Sequence, residues 1–294
     1  MKLFQKALVL GALLIHGGHC AQFRVFDNTA YTNTSIGYGS TPINWIPAYV
    51  CNPLTKNGLT PDENHWKDIV REWNIFPGYP LVLDCENIYF TDTETGDRNL
   101  NIMSSLQTWA ADVAPPGEII GWYGLSGNTI PALYDHYRSL ISNHSNHAFF
   151  PSAYTYSYNL DPWKSKLESV LQTIKKINSS LPVWPYTWPQ YHNNFTFFPV
   201  EVWEDQLHTL SQNENVNGFV IWGGKNHANC DDSCQAIAGK QPWLSATRSF
   251  LDNVYGLSDN LQQPWLSTTR LFIDDIYRLS GGQKRGGAQT FDYV

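Results

Sequence analysis

The chain has 294 residues, 15% of them charged and 14% aromatic, with a formal net charge of −7. So aromatic and sparsely charged a chain is not disordered, and its acidic balance, without any basic run, disfavours nonspecific nucleic-acid binding. Its length suits one large barrel of roughly 250 residues.

Residues 1–20 read as a secretory signal, with Lys2 and Lys6 as a basic start, an apolar run over 7–15, and small residues up to Cys20 for cleavage. That run is far short of the ~20 residues that span a bilayer, and no later stretch approaches it. A secreted, extracellular protein with no membrane contact is expected. Asn33, Asn143, Asn178 and Asn194 each begin an Asn-x-Ser/Thr sequon. They fit a eukaryotic export route in which each marks an exposed loop or turn, a candidate glycosylation site.

Beyond the signal, strand-length apolar runs recur at 45–50, 80–85, 118–123, 148–154, 182–188 and 218–222. They have the composition of buried parallel strands. Further strands are expected at 23–26 and near 73–76. Helical spacing lies between them, clearest for Trp163, Leu167, Val170, Leu171, Ile174 and Ile177, where Asp161 and Pro162 supply a start and Lys175 and Lys176 suit the last turn. A second helix is expected over 202–210. Alternation of this kind predicts right-handed βαβ units, and so many of them in one chain predict an α/β fold, a single-domain (β/α) TIM-like barrel over 21–258.

Near the end, residues 241–258, beginning Gln-Pro-Trp-Leu-Ser, return with few changes at 263–280. Each copy is one amphipathic helix. Two copies make no solenoid, so the first is predicted as the last barrel helix and the second, over 259–280, as a duplicated C-terminal helix outside it. The Gly-rich tail, 281–294, is expected to be disordered.

Cys51, Cys85, Cys230 and Cys234 remain after processing, and an oxidising compartment permits bridges whose connectivity spacing leaves open. Cys230 and Cys234 make half a zinc site without a mate, so no metal is expected. No Gly-x-Gly-x-x-Gly, Walker loop, Gly-x-Ser-x-Gly elbow or His-Glu-x-x-His occurs, and no cofactor is expected either. His144, His147, His192 and His227 are scattered through polar, loop-like contexts.

The sharpest local signal is Tyr79-Pro-Leu-Val-Leu-Asp-Cys-Glu-Asn. It is a buried-strand pattern ending in Asp84-x-Glu86. Residues two apart on a strand face the same way, so both carboxyls should enter the barrel mouth with Cα atoms about 6.6 Å apart. Two acids this close cannot both ionise freely, and one can then serve as a general acid. Glu86, further toward the mouth, is the expected acid catalyst, with Asp84 assisting. Acid-x-acid spacings also arise by chance, as at Asp92 and Glu94, but those lie in a polar Thr/Gly loop. Apolar residues lead straight into Asp84, and a buried acid is costly unless paired in a salt bridge or used. Trp122 and Tyr123, Tyr154 and Tyr156, Trp184, Tyr186 and Trp188, and Trp222 gather at the ends of the other runs. Any one could be core, but together at one end they suit a glycan cleft.

In collinear order over 45–255, these residues resemble the hyaluronidase family of glycoside hydrolases. Trp45-Ile-Pro-Ala-Tyr-Val-Cys51 is similar to its first-strand segment, Leu83-Asp-Cys-Glu86 to its catalytic Asp-x-Glu, Gly121-Trp-Tyr-Gly124 to its Gly-Tyr-Tyr-Gly, and Pro151-Ser-Ala-Tyr154 to its Pro-Ser-x-Tyr. Residues 181–191 follow its next strand and 218–223 its last, with Cys234 twelve residues past Trp222. The resemblance implies a substrate-assisted retaining endo-glycosidase acting on N-acetylhexosamine glycans of the hyaluronan or chondroitin kind. Glu86 would protonate the leaving oxygen while the substrate's own N-acetyl oxygen attacks. Asp84, Tyr123, Tyr154 and Trp222 would position that group; Tyr186 and Trp188, from the aromatic cluster itself, are expected to line the substrate cleft. It also implies a Cys51–Cys234 bridge, leaving Cys85, pointing out of the lumen, as a buried free thiol. The family's Trp-Arg-Pro after the glutamate is replaced by Asn87-Ile-Tyr, and an expected arginine before Pro189 is Trp188. Fewer basic groups weaken the case for a polyanionic substrate. The expected partner is a polysaccharide or glycosaminoglycan and the expected state a monomer. The competing readings are a silent, glycan-binding barrel of lectin or matrix type, and a two-carboxylate glycosidase whose nucleophile is Glu201 or Glu118.

Overall fold

The computed structural model describes residues 23–31, 34–37, 39–143, 146–224, 234 and 237–256. The signal, Asn33, His144, His227, Cys230, the second helix copy and the tail lie outside the described residues.

The protein is a TIM-like barrel of parallel strands wrapped by helices. Its strands are β1 (Arg24–Ala30), β2 (Ser40–Pro42), β3 (Asn44–Ile46), β4 (Leu81–Leu83), β5 (Ile120–Tyr123), β6 (Phe149–Phe150), β7 (Tyr186–Thr187) and β8 (Gly218–Gly224). Among the described residues they form two four-stranded sheets, ordered β2-β1-β8-β7 and β3-β4-β5-β6. Ile43 alone separates β2 from β3, so one stretch of chain pairs with β1 and then with β4. On the far side, isolated parallel bridges at Phe149–Val183 and Ser152–Tyr186 join β6 to the β7 segment. The strands therefore follow one another around a ring.

Each strand divides its side chains between two cores. Val82, Phe26, Phe150, Tyr186 and Val220 fill the lumen with Ile43, Trp184 and Trp188. Leu81, Leu83, Cys85, Phe219 and Ile221 face the helices in a larger outer core. Period-two alternation makes this division automatic once the strands close.

The helices are α1 (Ala48–Leu54), α2 (Glu63–Trp73), α3 (Gly96–Val113), α4 (Leu125–Asn128), α5 (Tyr134–Ser142), α6 (Asp161–Ile177), α7 (Val200–Gln212) and α8 (Pro242–Tyr255). In α6 the six residues of the predicted apolar stripe are the buried ones, Pro162 lies in the first turn, and Lys175 and Lys176 close the last. α8 is the first copy of the repeat. It packs against α7 through Trp203 and Trp243, and its Tyr255 hydroxyl accepts from Val25 N and donates to Phe23 O, both at 3.0 Å, which ties it beside β1.

The strand expected near 73–76 is absent, since β3 pairs directly with β4, and the strand expected over 45–50 ends at Ile46, where the chain turns into α1. α2 runs on to Trp73, and the chain after it is held by side chains instead of a ladder. Asn44 Oδ1 accepts from Phe76 N at 2.8 Å and Asn44 Nδ2 donates to Phe76 O at 2.9 Å. Asn44 thus satisfies the polar main chain that a strand would have paired.

Gly218 opens β8 with φ of 153°, and a Cβ there would strike the main chain of Arg24, approaching its C and N atoms at 2.8 Å. Backbone cannot swing aside as a side chain does. Gly218→Ala is therefore expected to destabilise the fold by about 2–4 kcal/mol, read as a lowered thermal midpoint. An unchanged midpoint would show that β1 and β8 can separate without cost.

Candidate active site

At the C-terminal end of β4 the chain leaves the ladder with Asp84 N donating to Ile46 O at 3.0 Å, then turns through a single 3-10 turn, Glu86–Ile88. Asp84 keeps the inward direction of Val82. The register places Trp45 beside Val82 on the neighbouring strand, also facing inward, and its indole Nε1 donates to Asp84 Oδ2 at 3.2 Å. Asp84 is only 6% exposed, and its Oδ1 has no partner with hydrogen-bond geometry. Burial, first, and the nearby Glu86 charge, second, hold the Asp84 carboxyl well above the usual aspartate range. The bonds from Trp45 and from the Ala48 main chain oppose this only in part. Glu86, on the turn, is half-buried and stands nearer solvent.

Tyrosines surround the pair. Tyr123, at the end of β5, has its ring 6.2 Å from Tyr154 and 5.2 Å from Tyr186, and hydrogen-bonds to Ser152 and Tyr154. Burial, with the Asp84 charge adding, pushes the Tyr123, Tyr154 and Tyr186 phenols above their ordinary value. They remain neutral hydroxyls at any working pH. Tyr89, missed in the sequence, is buried against the same carboxyls, and its hydroxyl donates to Tyr123 O at 2.8 Å.

Trp222, on β8, is half-buried and boxed in by Trp188 at 4.9 Å, Tyr154 at 5.5 Å and Trp45 at 6.3 Å between ring centres. From Trp222 the rings continue outward, Tyr154 to His192 at 5.4 Å and His192 to Tyr156 at 4.9 Å, with Lys166 Nζ 5.6 Å above Tyr156. Tyr154 and His192 are the stacked pair and spend those faces on each other, so they form a wall of the mouth and not an open platform. Burial and Lys166 lower the His192 pKa, which leaves its imidazole neutral at neutral pH.

Tyr186 and Trp188 are each 1% exposed. The Tyr186 hydroxyl accepts from Asn28 Nδ2 at 3.4 Å, and Trp188 Nε1 donates to Tyr31 Oη and Gln190 Oε1, both at 3.0 Å. They back the rings that reach the mouth. Glu118 stands before β5, at the opposite end of the barrel, bonded to Asn74 and to Gly78 N. Glu201 is exposed on the first turn of α7 and accepts from Tyr158 at 3.4 Å. Neither is among the groups that act on Asp84, which are Glu86, Trp45 and Ala48.

The cysteines differ from the implied pairing. Cys51, in α1, is bonded to Cys85, with Cα atoms 5.2 Å apart, so it does not reach Cys234 and Cys85 is not a free thiol. The reason is local. α1 follows β3 directly, β3 pairs with β4, and both cysteines leave those neighbouring strand ends toward the helices. Cys85 does face the outer core as expected. Cys234 is itself disulfide-bonded, which takes its sulfur out of the half zinc site. Among the described residues no group of three His, Cys, Asp or Glu gathers to hold a metal.

The sequons at Asn143 and Asn194 are exposed and that at Asn178 half-buried, and Asn178 and Asn194 each cap a tight turn by accepting from Ser180 and Thr196. No helix among the described residues is long and apolar enough to cross a membrane.

Of the residues missed in the sequence, Trp45 had a readable signal, since it stands at a strand end beside the Asp84 strand. Tyr89 had none, because it lies beyond any strand and reaches the site through a turn.

No protein-family model matches the sequence, and no curated protein matches it. The barrel superposes on bee venom hyaluronidase with a TM-score of 0.54 at 15% identity, covering 77% of this chain and 100% of that one. Looser superpositions join it to bee venom hyaluronidase in complex with a hyaluronic acid tetramer (TM-score 0.44, 15% identity, 74% of this chain and 71% of that one) and to a GH18 chitinase from Pseudoalteromonas aurantia (0.41, 15%, 69% and 77%). At this identity the likeness is one of fold.

Proposed function

We propose that this protein is a secreted glycoside hydrolase that cleaves N-acetylhexosamine glycans by a substrate-assisted, retaining mechanism. The observation that carries the reading is Asp84, a desolvated carboxyl with one oxygen unpartnered, two residues from a second carboxyl at the mouth of a barrel. A structural salt bridge would have given Asp84 a cation, and among the described residues none pairs with it.

In this reading Glu86, nearer solvent, donates its proton to the leaving glycosidic oxygen and later takes one from the attacking water. Between these steps the substrate's acetamido oxygen closes on the anomeric carbon. Asp84 Oδ1 accepts the acetamido N–H and steadies the positive charge that develops there. The neutral Tyr123 and Tyr154 hydroxyls hold the acetamido oxygen in line, and Trp222 supplies the flat face on which its methyl group rests. Among the described residues no guanidinium acts on Asp84, so neutral N-acetylhexosamine chains fit the mouth at least as well as hyaluronan or chondroitin.

Reducing-end release from hyaluronan, chondroitin, a chitin oligomer and its de-N-acetylated counterpart tests this. Release from an acetylated glycan, with none from the deacetylated one, is the expected result. Equal release from both would sink substrate assistance, and release from none would favour a silent, glycan-binding barrel. Within the same assay, Trp222→Ala is expected to lower kcat/KM by about 10-fold to 100-fold through lost positioning, with the carboxyl pair intact.

A further inference from the structure

We infer that the Cys51–Cys85 disulfide is a positioning device for the carboxyl pair, holding Asp84 and Glu86 in their working separation; the inference rests on the reading of those two residues as the reacting pair. Cys85 is the residue between them. Its sulfur points away from the lumen into the outer core, so the bond reaches the site through the main chain alone.

Main-chain bonds are sparse at this point, although Cys85 and Ile88 are packed in the outer core. β4 stops at Leu83, Asp84 N makes the last ladder bond, and the bond that closes the 3-10 turn, Ile88 N to Cys85 O, is 3.5 Å long. Beside the Trp45 bond to Asp84 and an Asn99 Nδ2 bond to Tyr89 O at 3.0 Å, further ties lead to α1. Asn87 Nδ2 donates to Asn52 O at 3.0 Å, Asn87 N donates to Asn52 Oδ1 at 3.4 Å, and Thr55 Oγ1 donates to Asn87 Oδ1 at 2.6 Å. α1 also touches the carboxyl itself, since the Ala48 N–H bonds to Asp84. Yet α1 has only seven residues, a proline within it and no side-chain cap, so it does not hold its place by its own helical bonds. The covalent link supplies what α1 lacks. It fixes α1 against the end of β4, and α1 in turn fixes Asp84 from the front and residues 86–87 from behind. A displacement of about 1 Å in such a group can cost a hundredfold in rate.

The groups facing Asp84 are Trp45 from β3, Ala48 from α1, Glu86 and Tyr89 from its own segment, and, further off, Tyr123, Tyr154 and Tyr186. Glu86 is the other carboxyl among them, so a change in the spacing of the pair must change how Asp84 titrates.

The experiment compares the wild type with the Cys51→Ala/Cys85→Ala double variant, which leaves Cys234 and its bond alone. In parallel, the wild type is reduced in stages with a phosphine, which gives two electrons to the disulfide and takes the oxygen of one water to become phosphine oxide, while the two protons of that water go to the thiols. The thiols are alkylated and located by peptide mass. Three quantities are read: kcat and KM, the titration of the Asp84 carboxyl by ¹³C NMR, and circular dichroism. The inference expects kcat to fall about tenfold or more with KM little changed. It also expects the Asp84 titration to move down toward the ordinary range as water enters, while the helical signal persists. A folded double variant with unaltered kcat and titration would overturn it. So would activity lost in step with the helical signal during staged reduction, which would make the bond only a clasp on the fold. Should no glycan prove to be a substrate, the Asp84 titration still decides the matter, because it reads the pair without turnover.

Discussion

Glu86→Gln is expected to lower kcat and kcat/KM together by about 10²–10⁴-fold, with KM nearly unchanged, since the lost interaction exists only while the proton is in flight. The amide keeps the shape of the side chain but has no proton to give at any pH. Because Glu86 sits half-buried on a turn, not in the packed core, the thermal midpoint should stay close to that of the wild type. A sharper check lies in the leaving group. An activated aryl glycoside departs without protonation, so its bond cleavage should be largely spared in Glu86→Gln, while that of the natural linkage is not. If the two substrates lose activity equally, Glu86 is not the acid.

Asp84→Asn should move activity and stability in opposite directions. For activity, an amide cannot neutralise the positive charge that develops on the substrate's acetamido group, and loss of one such interaction in a water-excluded site costs about 10²–10³ in kcat. For stability the sign follows from the raised Asp84 pKa. In the folded protein the carboxyl holds its proton to a higher pH than in the unfolded chain, where it titrates near 3.8. Its folded form is therefore fully favoured below that value, and stability is lost as pH rises through the folded pKa. Asparagine, which never ionises, escapes this loss. The midpoint of Asp84→Asn should exceed that of the wild type at neutral pH by about 2–4 °C for each kcal/mol recovered, and the advantage should vanish in acid. A variant less stable than the wild type at neutral pH would mean that the ionised carboxylate is paired in a way the burial of Asp84 does not reveal.

The barrel was legible in the sequence because its signals are local. A run such as Leu81-Val-Leu reads as a buried strand, the six-residue apolar stripe of α6 reads as a helix, and neither depends on what lies across the molecule. The same holds for Asp84, which follows directly on the strand, but not for Glu86, which stands on the 3-10 turn beyond it. The inward direction of Asp84 and the outward direction of Cys85 were written in the alternation of that one strand.

What lay between elements was not legible. Residues 73–76 have a strand's apolar character, yet Asn44, thirty-two residues before Phe76, takes that residue's main-chain hydrogen bonds, and no local pattern announces such a partner. The cysteine pairing is of the same kind. Spacing cannot tell Cys85 from Cys234 as the mate of Cys51, whereas adjacency of β3 and β4 brings two sulfurs together on the same side of the wall. The aromatic cluster shows the difference most plainly. Composition made Tyr154, Tyr186, Trp188 and Trp222 look alike, and only closure of the ring left Trp222 half-open at the mouth and buried Tyr186 and Trp188 behind it. Alternation along a strand is determined by bond geometry within a few residues. Exposure, desolvation and partnership depend on how many distant atoms arrive around a side chain, and the fold alone decides that.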